Sequence, residues 1–257
     1  MRVIGTYLLI LGLALTDIAA AQPSARDPQA VTIVSQVLAA TGGPTAIAAI
    51  TDFTAKGTVT YYWAESAQGA VTIRGRGLHQ FRLDASLADG QHSWLINGST
   101  TFKKNPNGST SPLPSQNTVN VASATFPLLR LLSAFQDTAT SISDGGVVTR
   151  DGQQVRDIIV QKNFPLGRDP GGALSKITKA HIFIDTTTMT VESIEDSAYA
   201  INGPGEYSHE MQFSGYEAIN GVLVPLTITE FIAGQKIMMV QLNQVTFNTG
   251  LSDADFE

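Results

Sequence analysis

The N-terminal part of the chain places apolar residues at helical spacing. In "DPQAVTIVSQVLAA", residues 27–40, the apolar positions that recur on one face are Val31, Val34, Val37 and Leu38. Asp27 can cap this helix, Pro28 suits its first turn, and Gly42-Gly43 ends it. A second short helix is predicted from Pro44, in "PTAIAAI".

From Phe53 onward, apolar and polar residues alternate with a period of two. Strand-like segments such as "FTAKGTVTYYW", "QHSWLING" and "AHIFID" are separated by turn signals, and about ten to twelve strands are predicted. Helices do not alternate with these strands as in a parallel sheet. We therefore predict a mainly β (α+β) fold: a large curved antiparallel sheet or half-open barrel, with the N-terminal and central helices covering its concave face.

One helix is predicted in the middle of the chain. In "SATFPLLRLLSAFQD" an apolar stripe is formed by Phe126, Leu129, Leu132 and Phe135, and Leu128 and Leu131 widen it. The preceding segment, Asn105 to Asn120, has no periodicity and is rich in Asn, Ser, Pro and Gly. It is predicted to be a long loop, which together with the helix could act as a lid.

The last strands are apolar on both faces, which is typical of strands in the middle of a structure. Asn220-Gly221 predicts a tight hairpin turn before "VLVPLTITEF". Pro225 cannot donate to a sheet ladder, so it predicts a bulge or bend where the sheet curls.

The first residues have the layout of a secretory signal peptide. Arg2 precedes an apolar run of about 13 residues, and Ala19-Ala20-Ala21 offers a small-residue cleavage site. We expect cleavage after Ala21 and a periplasmic or secreted protein, residues 22–257, with no integral membrane segment. The chain has no cysteine, so it has no disulfides and is not a lipoprotein.

Charge limits the classes of partner. The net charge is −6, and removing residues 1–21 removes one basic and one acidic residue, so it stays at −6. This acidity argues against nucleic acid and against anionic headgroups as partners. Arg74, Arg76 and Arg82 share one strand face, either as a solvated face or as a cationic rim for a carboxylate.

No catalytic constellation is recognised. The loop "GRDPGGALSK" fails the phosphate-loop template, and the four histidines lack metal-site spacing. Carboxylates cluster at Glu192, Glu195 and Asp196, and again at Glu206 and Glu210; a solvated strand edge is favoured over a hydrolase pair. We expect no enzyme, no metal and no cofactor.

The order of elements resembles that of a known superfamily. The segments "VSQVLAATGG", "AIAAITDFTAKGTV", "IFIDTTTMTVESIE", "YEAINGVLVPLTITEF" and "LNQVTFNTGLSDADF" are similar to the periplasmic lipoprotein-carrier (LolA/LolB-like) superfamily. The resemblance covers roughly 27–59 and 179–256 and implies a single domain over 22–257. It implies a half-open barrel whose helix-covered concave face holds acyl chains or other apolar ligands. No functional residue is transferred from the superfamily.

Three functions are therefore considered. The first is a non-catalytic envelope carrier or chaperone that binds a lipid or lipoprotein acyl chain in the hollow. The second is an envelope sensor or protein-interaction module with a filled core, and the third, less favoured, is a hydrolase. The residues predicted to line the hollow are Trp63, Phe81, Trp94, Phe102, Leu129, Leu132 and Phe135.

Overall fold

In the part of the chain that the structure describes, thirteen antiparallel strands form a single sheet that does not close into a barrel. The structure is a computed structural model and describes residues 25–62, 67–98, 100–117, 126–200 and 205–257. The predicted signal peptide and Trp63 lie outside these residues. The signal peptide and the role of Trp63 in lining the hollow therefore stay predictions. Among the described residues the strand order is β6-β5-β4-β3-β2-β1-β13-β12-β11-β10-β9-β8-β7. The predicted fold class is confirmed.

The strand bounds follow the alternating pattern of the sequence. They are β1 Asp52–Tyr61, β2 Ala67–Arg76, β3 Gln80–Leu87, β4 Gly90–Asn97, β5 Thr100–Lys104, β6 Thr110–Pro112, β7 Thr140–Arg150, β8 Gln153–Lys162, β9 Ala180–Asp185, β10 Thr190–Tyr199, β11 Glu206–Ile219, β12 Val222–Ile232 and β13 Gln235–Phe247. Hairpins join most neighbours, and β1 pairs with β13 to connect the two halves of the chain.

Within the described ranges, four α-helices and two 3-10 helices accompany the sheet. They are α1 Pro28–Ala40, α2 Pro44–Ala48, α3 Pro127–Gln136 and α4 Ala173–Ile177, with η1 Ser115–Asn117 and η2 Asp253–Phe256. Among the described residues no helix is long and apolar enough to cross a membrane. The predicted loop over 105–120 in fact contains β6 and η1, and α4 was not predicted either. These three elements are too short to show a hydrophobic period in the sequence.

One face of the sheet carries the core. Strand residues such as Phe53, Val59 and Ile73 are buried there beneath α1 and α3. The ring of Phe126 lies 5.8 Å from that of Phe53 and 5.6 Å from that of Phe247, so aromatic contacts fix the start of α3 against β1 and β13. We call this helix-bearing side the covered face.

Pro225 marks the place where two strands separate. Its pairing with Tyr216 of β11 lies within a continuous register, so the predicted bulge is absent from the β11–β12 ladder. The ladder between β12 and β13 begins only at Thr227, two residues later. Beside this point, β13 shifts its register against β1 between Lys56 and Gly57. The missing N–H of proline is therefore tolerated because no β13 partner is there.

Candidate functional site

The central helix α3 forms the middle of the candidate site. Pro127 occupies its first turn, where its missing N–H costs no hydrogen bond. The three leucines Leu128, Leu131 and Leu132 are buried against the core, as the apolar spacing predicts. Among the described residues no side chain caps its N-terminus, where Phe126 stands. The helix is thus held mainly by what its apolar face touches.

Two of the predicted lining residues lie on the covered face of the sheet. Phe81 pairs with Ile96, and Leu83 pairs with Trp94, so strand alternation puts Phe81 and Trp94 on the same side. Phe81 is fully buried, whereas Trp94 is half-buried with its ring 5.5 Å from that of Tyr61.

Phe102 lies on the opposite face. It pairs with Leu95, which sits between the covered-face residues Trp94 and Ile96 and therefore points away from them. Near this outer side, η2 contacts β3 and β4 and buries Phe256. Alternation within β5 does not by itself assign Phe102 to a face, but the tight turn that begins at Asn97-Gly98 fixes the register between β4 and β5 and was the available signal.

Of the three predicted residues of α3, Leu129 and Phe135 are half-buried at its edge, whereas Leu132 is buried. Leu129 and Leu132 line an open groove of about 410 Å³, shared with Ala48 of α2 and with Leu78. The ring of Phe135 is approached by the guanidinium of Arg26 at 5.8 Å, and Arg26 also donates to the carbonyl of Phe135 at 2.7 Å. Beneath α3 the described residues are packed together, and the role of the predicted residues in lining a ligand site stays a prediction.

A buried ionic network crosses from α3 to the sheet. The Arg130 guanidinium donates to Oδ2 of Asp196 on β10 at 3.0 Å. Oδ1 of the same carboxylate is 2.7 Å from Nδ1 of His209 on β11, and Nε2 of His209 is 3.1 Å from Oε1 of Glu230 on β12. The side chains of Asp196 and His209 are only 2% and 5% exposed. We call these four residues the Arg130 network.

The geometry of His209 defines its charge. A carboxylate oxygen faces each ring nitrogen, and a carboxylate can only accept, so both nitrogens donate and the ring is an imidazolium. Burial by itself lowers the pKa of His209, but the hydrogen bonds to Asp196 and Glu230 outweigh it and raise the pKa to about 10. Beside this network, burial and the charge of Glu230 raise the pKa of the Tyr61 hydroxyl, which stays protonated.

Most of the Arg130 network was missed by the sequence analysis. Asp196 was noted only as one of several clustered carboxylates, and Arg130, His209 and Glu230 were not singled out. One signal was available: Arg130 interrupts the apolar stripe of "PLLRLLSAF" with a charge. A charge on a buried helix face needs a buried partner, although the sequence alone does not identify it.

The clustered carboxylates that suggested a hydrolase lie on different sides. Asp196 faces α3, whereas Glu195 pairs with Glu210 across the outer side of β10 and β11. Arg150 bridges these two glutamates, at 3.3 Å from Glu195 and 2.6 Å from Glu210. Among the described residues no group of three or more histidine, aspartate or glutamate side chains is placed to hold a metal ion.

The arginine face of β2 and β3 also lies on the outer side. Arg74 and Arg82 both pair with Asp84, at 2.7 and 2.9 Å, and they line a polar cavity of about 430 Å³ beside η2. Arg76 pairs with Asp253 of η2. The Arg76–Asp253 pair fastens the C-terminal segment to the sheet, and Asp84 and Asp253 together neutralise much of the cationic rim considered from sequence.

Comparison with solved structures identifies proteins of similar fold. The sequence matches no protein-family model and no curated protein. In structure, a domain assigned to outer-membrane lipoprotein sorting from Vibrio parahaemolyticus is similar, with a TM-score of 0.54, 15% identity, and coverage of 88% of this chain and 95% of its own.

Two further solved structures are also similar in fold to this chain. A LolA superfamily protein from Nitrosomonas europaea has a TM-score of 0.54 at 9% identity, covering 88% of this chain and 97% of its own. A DUF1329 family protein from Desulfovibrio piger has a TM-score of 0.52 at 10% identity, covering 91% and 98%. At such identities the likeness concerns the fold, not the activity. The predicted resemblance is confirmed at that level: the chain has a LolA-like fold.

Proposed function

We propose that this protein is an exported, non-catalytic carrier or chaperone that binds an apolar ligand, a lipid or a lipoprotein acyl chain, on its covered face. The observation that carries the proposal is the position of α3. A short helix with a leucine-rich face lies on an apolar sheet face, where an alkyl chain would find the same contacts.

Exchange between helix and ligand is physically reasonable. Each buried leucine of α3 contributes about 1.5–3 kcal/mol, and an acyl chain that buries a similar apolar area recovers a similar free energy. The ligand would therefore replace Leu128, Leu131 and Leu132 without leaving the sheet face exposed to water. The helix would then close over the ligand with its remaining apolar edge, at Leu129 and Phe135.

The signal-peptide pattern and the pairing of the clustered glutamates support the same proposal. The signal-peptide pattern at 1–21 favours export, and one protein of similar fold is assigned to outer-membrane lipoprotein sorting. The glutamate pair that resembled a hydrolase site is bridged by Arg150, which leaves neither carboxylate poised to act alone.

Native mass spectrometry, with organic extraction, on residues 22–257 purified from a periplasm tests the proposal. We expect a co-purifying apolar ligand that is lost on denaturation. Leu129→Lys should abolish its retention, because the charge would sit on the edge of α3 that closes over the ligand. The matched control is Leu174→Lys on α4, where the leucine is 42% exposed and retention should not change.

A bare mass with no uptake of added fatty acid or phospholipid would contradict the carrier. A second function, an envelope sensor or interaction module, is favoured by one observation: the described residues beneath α3 are already packed, with Leu128 and Leu131 fully buried. If uptake fails and a single envelope protein is recovered in fixed ratio with the chain, the interaction module is the better account.

A further inference from the structure

The sheet side of the Arg130 network carries an unbalanced charge once α3 is removed. Asp196 and Glu230 contribute two negative charges, and the imidazolium of His209 contributes one positive charge. The fourth charge, the Arg130 guanidinium, comes from α3. With α3 in place the four charges sum to zero, and without it the strands β10, β11 and β12 retain one net negative charge on the covered face.

This charge lies where water has little access. The Asp196 side chain is 2% exposed, and its Oδ2 accepts the guanidinium while its Oδ1 accepts from His209. A purely alkyl ligand that displaced α3 would cover Oδ2 with apolar groups. A buried carboxylate that loses its cation is strongly unfavourable, so such a ligand would be opposed at this end of the face.

We propose that the ligand is an amphiphile with a cationic group, of the primary ammonium kind found on aminolipids, and that this ammonium takes the place of the Arg130 guanidinium at Asp196. The inference rests on the proposed function, since it assumes that an apolar ligand displaces α3. It adds the ligand class: an alkyl chain on the leucine-binding surface with an amine at the network end.

The surroundings of Asp196 suit an ammonium. A primary ammonium has three N–H donors, and Oδ2 of Asp196 on β10 can accept one of them. Glu230, whose side chain is 20% exposed, lies on β12, on the other side of His209 and β11, and adds its negative charge to the same face. The His209 ring links the two carboxylates across β11, through Nδ1 to Asp196 and through Nε2 to Glu230. A carboxylate or phosphate headgroup with no amine would instead place like charges together.

Three probes that share one alkyl chain test this inference: dodecylamine, dodecanol and dodecanoate, each titrated below its micelle concentration by calorimetry against residues 22–257. We expect dodecylamine to bind more than about tenfold tighter than dodecanol, a difference of about 1.4 kcal/mol, and dodecanoate to bind weakest. The readout is the ratio of the amine and alcohol affinities.

Variants separate the site from the general acidity of the chain. Glu230→Gln and Asp196→Asn should bring the ratio close to one. Glu217→Gln changes the net charge equally on the exposed far part of β11 and should leave the ratio as it is. Because Asp196→Asn can fail to fold, Glu230→Gln at the less buried carboxylate keeps the test decisive.

The outcomes are distinguishable. Equal binding of all three probes, or a ratio that Glu217→Gln lowers as much as Glu230→Gln does, would overturn the ammonium site and leave the carrier standing. Binding of none of the probes would contradict the proposed function and this inference with it.

Discussion

The helices α1 and α3 both cover the sheet, but they are fastened in different ways. The Asp27 side chain caps α1 by accepting from the backbone of Gln29 and Ala30 at 2.7 and 3.1 Å. Both ends of α1 also bond to the sheet, through Asp27 N–H to Ile142 and through Leu223 N–H to Thr41. The buried face of α1 consists entirely of Ala30, Val34, Val37 and Leu38.

In the part of the chain that the structure describes, no side chain caps the N-terminus of α3, and the helix carries Arg130 within its buried face. A buried ion pair contributes little net stability compared with apolar packing, yet it is specific and it can be exchanged for another charge pair. The difference suggests that α1 is a permanent part of the core, whereas α3 is a removable cover. Our predictions are arranged to test that difference, from the largest expected effect to the smallest.

The largest effect is expected from Asp196→Asn. This change leaves the Arg130 guanidinium and the His209 imidazolium without their shared carboxylate, which should lower the free energy of unfolding by about 3–5 kcal/mol. Urea denaturation measures it. Lys176→Ala, which breaks the exposed Lys176–Glu206 pair at 2.8 Å, is the control and should change the free energy of unfolding very little, because water screens the pair. Similar losses in the two variants would contradict the role given to the Arg130 network.

A pair of leucine substitutions compares the two helices directly. Leu131→Ala on α3 and Leu38→Ala on α1 remove side chains that are 0% and 1% exposed, and each should cost about 2–5 kcal/mol. Ligand uptake should differ, however. Leu131→Ala weakens the cover and should increase uptake of a fatty-chain probe, whereas Leu38→Ala should not. Equal uptake in the two variants would mean that α3 is no more removable than α1.

The third prediction concerns pH. The pKa of His209 is raised from 6.5 to about 10, so its contribution to stability is complete below about pH 6.5 and is lost as the pH rises through 10. The stability difference between the wild type and His209→Gln should therefore shrink from neutral pH to pH 10, by up to about 1.4 kcal/mol per pH unit. Denaturant unfolding of both proteins across that range measures it. A difference that stays constant would show that His209 is not charged in the folded protein.

Local rules predicted one helix far better than the other. For α1 the cap, the proline and the terminal glycines lie within 27–43, and the structure follows them closely. For α3 the apolar spacing predicted the helix, but its charged partner Asp196 is 66 residues away along the chain. Only the register of β10, β11 and β12 brings Asp196, His209 and Glu230 together.

The register between neighbouring strands also decides which of the predicted lining residues share a face. Phe81 and Trp94 could be grouped from alternation within each strand, because β3 and β4 form a tight hairpin. Phe102 could have been assigned in the same way, since β4 and β5 form an equally tight hairpin in which Asn97 pairs with Thr100. A sequence shows which strands are apolar; it shows less well which face each residue joins.

Single thiols on the two helices test the central claim most directly. The chain has no cysteine, so Leu131→Cys on α3 and Val37→Cys on α1 each introduce one reactive group, at positions that are 0% exposed. Their labelling rates are compared in urea concentrations below the unfolding transition, where exposure by local opening depends little on urea and exposure by global unfolding depends on it steeply.

We predict that the thiol at position 131 reacts at least about tenfold faster than the one at position 37, with little dependence on urea, because α3 opens while the rest of the fold stays intact. The thiol at position 37 should react only through global unfolding. Equal rates with the same steep urea dependence would show that α3 is as permanent as α1, and would contradict the account.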